Sequence, residues 1–201
     1  MAYSKFTSLI KFCHQFGLNA NTTTILFKDF DKSFALSERL IADLEEAKQY
    51  PMYSEKAKSE LIITPILKEL KRKNPHISVF SGFNLSIDQE PDLSGNPDFV
   101  LSAKPNLVEI EAPIFCLMES KNKAPDEGFA QCAAEMYAAR LFNRQNNDPY
   151  ETIHGAVTNG FEWVFLRLDQ QHIFIDTERY YLNQPQILLS ILQHIVCLSA
   201  V

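Results

Sequence analysis

The chain has 201 residues, enough for one domain of ordinary size with a self-sufficient core. Its 46% hydrophobic and 22% charged residues, with only six Gly and ten Pro, exclude a disordered, collagenous or low-complexity chain. A formal charge of −6 excludes a protein that coats phosphate backbones through bulk positive charge.

The charge is uneven. Residues 54–76 carry six basic and three acidic groups, whereas residues 145–201 carry six acids against Arg167 and Arg179. The basic run reads either as a solvated helix face or as a phosphate-facing strip. Cys13, Cys116, Cys132 and Cys197 are far apart, with neither a C-x-x-C pair nor zinc-ligand spacing, and read as reduced thiols of an intracellular protein. The uncharged stretch Ile187–Val201 is too short to span a bilayer, and Lys5 and Lys11 interrupt any secretory apolar core. The expected location is cytoplasmic, with no membrane partner.

In chain order, residues 1–52 read as a helical extension, with a clear helix over Ser33–Gln49 on Leu36, Leu40, Ile41 and Leu44. Pro51 ends it. Ser54 caps the next helix, in which Glu60, Ile63, Leu67 and Leu70 share one face and Pro65 introduces a kink. Strand-like runs follow at Ile77–Ile87, Pro97–Ser102 and Ile114–Lys121. A long helix over Asp126–Asn146 carries Phe129, Ala133, Met136, Tyr137 and Leu141 on its apolar side, with Asp126 as its cap. Asn159-Gly160 joins Ile153–Thr158 to Phe161–Leu168 as a hairpin, and His172–Asp176 adds a strand. Pro185 opens a last helix over residues 184–199. One domain results, with a core at 54–182. Helices around a mixed sheet make it α/β.

Three Glu-x-Lys triplets occur, at Glu46, Glu69 and Glu119. In the first two, helical geometry turns the pair about 200° apart. Glu119 and Lys121 instead close the apolar run Ile114–Met118, and strand parity puts both on one face. Upstream, Gly95-Asn96-Pro97-Asp98 places a carboxylate at the start of another strand. Carboxylates on adjacent strands form a hard-oxygen site of the kind Mg²⁺ accepts, while a nearby lysine can stabilise charge building on phosphorus. Glu109 and Glu111 read as a solvated hairpin edge, Trp163 reads as core, and the five histidines have no ligand spacing.

Pro97-Asp98 and Glu119-Ser120-Lys121 together resemble the PD-(D/E)xK nuclease superfamily, the restriction-endonuclease-like fold; the pattern Ala156–Gly160 followed by Trp163-Val164-Phe165 is similar to nuclease domains of type I restriction subunits. The resemblance covers roughly residues 54–176. It implies a three-layer α/β/α sandwich, catalytic roles for Asp98, Glu119, Lys121 and Gln131, and metal binding by Asp98 and Glu119 with Glu60 as an extra acid. Mg²⁺ is the expected cofactor, with Mn²⁺ as a substitute. Lys123, Lys56 and Lys58 are the expected nucleic-acid contacts. Tyr137 follows Gln131 by six positions, so the Gln-x-x-x-Tyr pattern of the exonuclease branch is not met.

The expected activity is hydrolysis of phosphodiester bonds, first of all in DNA, in restriction, repair or mobile-element biology. With no recognition domain visible, a homodimer or a partner subunit is left to supply target recognition. The alternative is a catalytically silent nuclease fold that binds nucleic acid or a protein; metal binding and cleavage discriminate between the two.

Overall fold

The computed structural model describes residues 3–87, 90 and 92–199. After a short 3-10 turn at Tyr3–Lys5 come α1 (Leu9–Phe16), β1 (Asn19–Thr24), α2 (Glu38–Ala47), α3 (Glu55–Lys58), a π turn (Ser59–Ile63) and α4 (Thr64–Lys73). Strands β2 (Ser78–Ser81), β3 (Leu85–Ser86), β4 (Ser94–Gly95), β5 (Phe99–Ser102) and β6 (Ile114–Ser120) follow. A 3-10 turn at Pro125–Gly128 leads into α5 (Phe129–Gln145), then β7 (Ile153–Thr158), β8 (Glu162–Asp169), β9 (His172–Asp176), β10 (Tyr180–Tyr181) and α6 (Pro185–Leu198).

Among the described residues the main sheet has eight strands, seven in the order β1-β9-β8-β7-β6-β5-β2, with β10 also paired to β8. It is mixed: β6–β7 and β1–β9 are parallel and the other pairs antiparallel. Helices cover both faces. Phe12 of α1 and Met136 of α5 bury against Leu117, Val157 and Leu166 on one side. Leu40, Leu67 and Ile191, from α2, α4 and α6, bury against Phe115, Met118 and Phe165 on the other. Among the described residues no helix is long and apolar enough to cross a membrane.

The first fifty residues are not wholly helical. Asn19–Thr24 is an edge strand that continues the sheet beside β9. Its sequence, Asn-Ala-Asn-Thr-Thr-Thr, has no buried residue and so no apolar alternation to announce it. The helix read over Ser33–Gln49 runs only from Glu38 to Ala47, because Ser37 is its cap: the Ser37 hydroxyl accepts from the Leu40 N–H at 3.2 Å. Buried Glu69 of α4 in turn accepts from the Ser37 N–H and hydroxyl, at 3.0 and 2.8 Å, tying the two helices together.

Ser54 caps as its sequence position suggests, accepting from the Ala57 N–H at 3.1 Å. The helix beyond it is interrupted by the π turn, which ends just before Thr64-Pro65. Proline removes the N–H that would have bonded one turn back, and the wider turn absorbs the mismatch. One inserted residue rotates what lies before it by about 100°. Ile63, Leu67 and Leu70 are therefore buried, while Glu60 is thrown to the surface. Asp126 does not cap α5; it pairs with Arg179 at 2.7 Å, and the cap position is Gly128. The Asn159-Gly160 hairpin forms as read, with Gly160 at φ +88°. Trp163 is fully buried and donates to the Gly160 carbonyl at 3.2 Å.

Candidate active site

The β5–β6 register pairs Phe99 with Met118, and one step further brings Asp98 opposite Glu119. Asp98 extends the β2–β5 ladder through its carbonyl, which accepts from the Gly82 N–H at 3.1 Å. Its Oδ2 crosses to β6 and accepts from the Ser120 N–H at 2.7 Å. Glu119 and Lys121 lie on the face covered by α5, as their parity with Leu117 requires. The Lys121 N–H donates to the Thr158 carbonyl of β7 at 2.8 Å, so three strands hold the constellation.

The Lys121 ammonium donates to Glu119 Oε1 at 2.5 Å and to Gln131 Oε1 at 3.0 Å. The Gln131 amide then donates to Glu135 Oε1 at 3.1 Å, one helical turn further along α5. Gly128 lets α5 begin this close: a Cβ there would lie 2.6 Å from Val157 Cγ1 and 3.0 Å from Lys121 Cε. Asp98, Glu119, Lys121 and Gln131 are thus brought together.

Electrostatics follow from burial. Glu119 is 4% exposed, and burial, then the neighbouring Asp98 charge, push its carboxyl up to about 7, against the opposing pull of Lys121. Burial raises Asp98 too, opposed by the Ser120 N–H and Lys121. Burial works against the Lys121 charge, yet Glu119 and the acids around it hold the ammonium above its ordinary value. Glu135, fully buried beside Glu119, is held well above the carboxylate range, by burial first and then by the Glu119 charge. Burial and the facing Glu119 charge therefore favour the protonated form of Glu135.

Glu60 is outside this cluster. Its side chain is 63% exposed and faces Lys56 at 3.8 Å, a consequence of the π turn. The acid that does border the site is Glu55, at the start of α3, which accepts from the Asn122 N–H at 2.8 Å and adds negative potential at Asp98 and Lys121. Lys58 is buried rather than presented to a ligand, and its ammonium donates to the Asn122 carbonyl at 2.5 Å. Glu55 and Lys58 together clamp the turn that follows Lys121. Lys56 and Lys123 are exposed, and the Lys123 carbonyl is held by Asn159 at 2.7 Å. Glu109 and Glu111 lie exposed in a loop rather than on a hairpin strand. A polar pocket of about 320 Å³, lined by Asn84, Ser94, Asn96 and Gln131 among others, opens beside the constellation.

Sequence reasoning missed Glu135 and Glu55. Glu135 stands four positions after Gln131, one helical turn on the same face, and that spacing was the available signal. For Glu55 the signal was its place just after the Ser54 cap.

Among the described residues no group of three or more His, Cys, Asp or Glu side chains stands ready to hold a metal ion. The donor chemistry of Asp98 and Glu119 nevertheless fits a hard divalent cation. They offer hard carboxylate oxygens from adjacent strands, and Mg²⁺ commonly takes one or two protein carboxylates and completes its shell with water. No protein-family model matches the chain, and no curated protein matches its sequence.

Proposed function

We propose that the protein is a Mg²⁺-dependent nuclease of restriction-endonuclease-like fold that hydrolyses phosphodiester bonds, with DNA as its substrate and the cytoplasm as its location. The observation that carries this reading is the convergence of Asp98, Glu119 and Lys121 from two adjacent strands, with Gln131 bonded to the lysine. Two carboxylates that repel each other beside a single ammonium are an arrangement suited to chemistry on an anion and costly as mere structure.

In this reading Asp98 and Glu119 hold the cation, and Mn²⁺ can replace Mg²⁺. Bound there, the cation supplies Lewis acidity and a nucleophilic water at neutral pH. Lys121 holds a fixed positive charge beside the carboxylates, where it stabilises charge developing on the scissile phosphate. Gln131 positions Lys121 by accepting one of its protons, and Glu135 fixes the orientation of the Gln131 amide. Lys123 and Lys56, both exposed, serve the nucleic-acid backbone. A second copy or a partner subunit supplies target choice.

The test is nicking of supercoiled plasmid in Mg²⁺ or Mn²⁺, with EDTA as control. Product from wild type and none from Asp98→Ala supports the reading. Binding without cleavage in either metal would instead favour a catalytically silent module.

A further inference from the structure

A second hollow lies away from the carboxylates, at the free edge of β2. There α4, β2 and the loop at 106–108 enclose a groove of about 730 Å³. Its floor is apolar, formed by Leu67, Val79 and Phe99, and its far wall carries Phe83 and Val108, which are 41% and 86% exposed. The rim is basic: Arg39, Lys68, Lys71 and Arg72 line it, and among the described residues no acidic side chain does. Arg72 is engaged by Glu69, and Lys71 donates to the Pro75 and Ile77 carbonyls. Arg39 and Lys68 are exposed and form no ion pair among the described residues.

The strand edge itself is open. Among the described residues β2 pairs only with β5, in antiparallel register Phe80 to Val100, and the Gly82 N–H bonds the Asp98 carbonyl. Antiparallel ladders alternate inward-bonded and outward-facing residues, so the N–H and C=O of Val79 and Ser81 point away from β5, into the groove they line. Folded proteins normally cover or blunt such an edge. Here it is flanked instead by an apolar floor and unpaired cations.

We propose that this groove docks an extended acidic segment of a partner protein, added to β2 as a further strand. Its backbone pairs with Val79 and Ser81, its intervening Asp or Glu side chains lie on the α4 face and meet Arg39 and Lys68, and its alternate apolar side chains lie on the opposite face, toward Phe83 and Val108. Charge complementarity selects the acidic partner. The row of backbone donors and acceptors at strand spacing selects a peptide over a nucleic-acid strand, which has no groups to match it. The inference stands independently of the nuclease reading.

The experiment is fluorescence anisotropy on the full chain with a labelled peptide of about ten residues alternating Val and Asp, beside a Val/Lys counterpart and an oligothymidylate of similar length. The acidic peptide is expected to bind saturably, more weakly in high salt, and to lose about tenfold or more in Arg39→Glu/Lys68→Glu. Methylating alternate peptide nitrogens should abolish binding without altering the protein, and Val79→Pro should do so from the protein side. Any of four results overturns the proposal: no saturable binding of the acidic peptide, equal binding of the Val/Lys peptide, indifference to the double charge reversal, or indifference to backbone methylation. Oligothymidylate bound at this rim without peptide binding would assign the groove to nucleic acid. Self-association of the chain abolished by the double reversal, again without peptide binding, would assign it to a second copy.

Discussion

The carboxyl groups of Glu119, on β6, and Glu135, on α5, lie within hydrogen-bonding reach of each other, both are buried, and neither Oε2 has a donor assigned to it. A proton on Glu135 reconciles these facts. It turns a repulsive pair into a hydrogen bond and leaves Glu135 Oε1 free to accept from Gln131.

That assignment separates two substitutions. Glu135→Gln keeps a donor toward Glu119 and an acceptor for Gln131, and should change stability little. Glu135→Met removes the acceptor of the Gln131 amide and the partner facing Glu119 Oε2, and should cost about 1–3 kcal/mol. Urea unfolding of the two variants measures the difference; equal losses would show that the proton is not where it is placed here.

Lys121→Met keeps much of the side-chain stem and removes the charge. Plasmid cleavage should fall by at least about a hundredfold, the scale of losing one electrostatic stabiliser, while the fold persists. Lys123→Ala, at an exposed position, should weaken binding and reduce its salt dependence with turnover retained. Equal losses of turnover at both positions would point to a general basic patch.

Divalent metal should raise the melting temperature, since a ligand at a hundred times its dissociation constant stabilises by about 2.7 kcal/mol. Glu119→Gln should remove most of that shift. Glu60→Gln should leave it intact, because the Glu60 side chain points to solvent beside Lys56. Thermal scans with Mg²⁺, Mn²⁺ and EDTA read both results.

His154 makes stability depend on pH. It is 2% exposed in β7 and faces Arg167 across the ladder, and burial first, then the Arg167 charge, lower its pKa to about 3. The unfolded chain binds a proton at this position below about 6.5 and the folded chain does not, so stability falls as pH drops from about 6.5 toward 3. The contribution approaches about 1.4 kcal/mol per pH unit. His154→Gln should flatten the stability–pH slope by up to one proton, as determined by urea unfolding across that window.

The sequence made legible what rests on local pattern. Strand parity put Glu119 and Lys121 on one face, Asn159-Gly160 marked its hairpin, and Ser54 marked its cap. What stayed hidden depends on what packs where. Helix α5 is packed on more than one side: α1 covers the stripe at Tyr137 from outside, while Glu135, off the stripe, is turned toward Glu119 of the sheet. Phe12 and Phe16 meet Tyr137 there at 6.2 and 5.1 Å between ring centroids. Glu60 was misplaced because helical periodicity assumes an unbroken turn, and a π turn breaks it. Lys58, an expected nucleic-acid contact, instead has its stem buried and its ammonium bonded to the Asn122 carbonyl.

The pairing of β1 with β9 has a consequence for how the chain is made. The meander β7–β8–β9 lies between two strands that the ribosome delivers earlier, β6 on one side and β1 on the other. Asn19 meets His172, so β1 emerges with its partner strand still some 150 residues from synthesis. At about 5–20 residues per second, that polar strand waits roughly 8–30 s before it can dock. Its Asn- and Thr-rich composition suits the wait: an apolar strand left unpaired that long would invite aggregation, whereas this one stays hydrated until the sheet arrives.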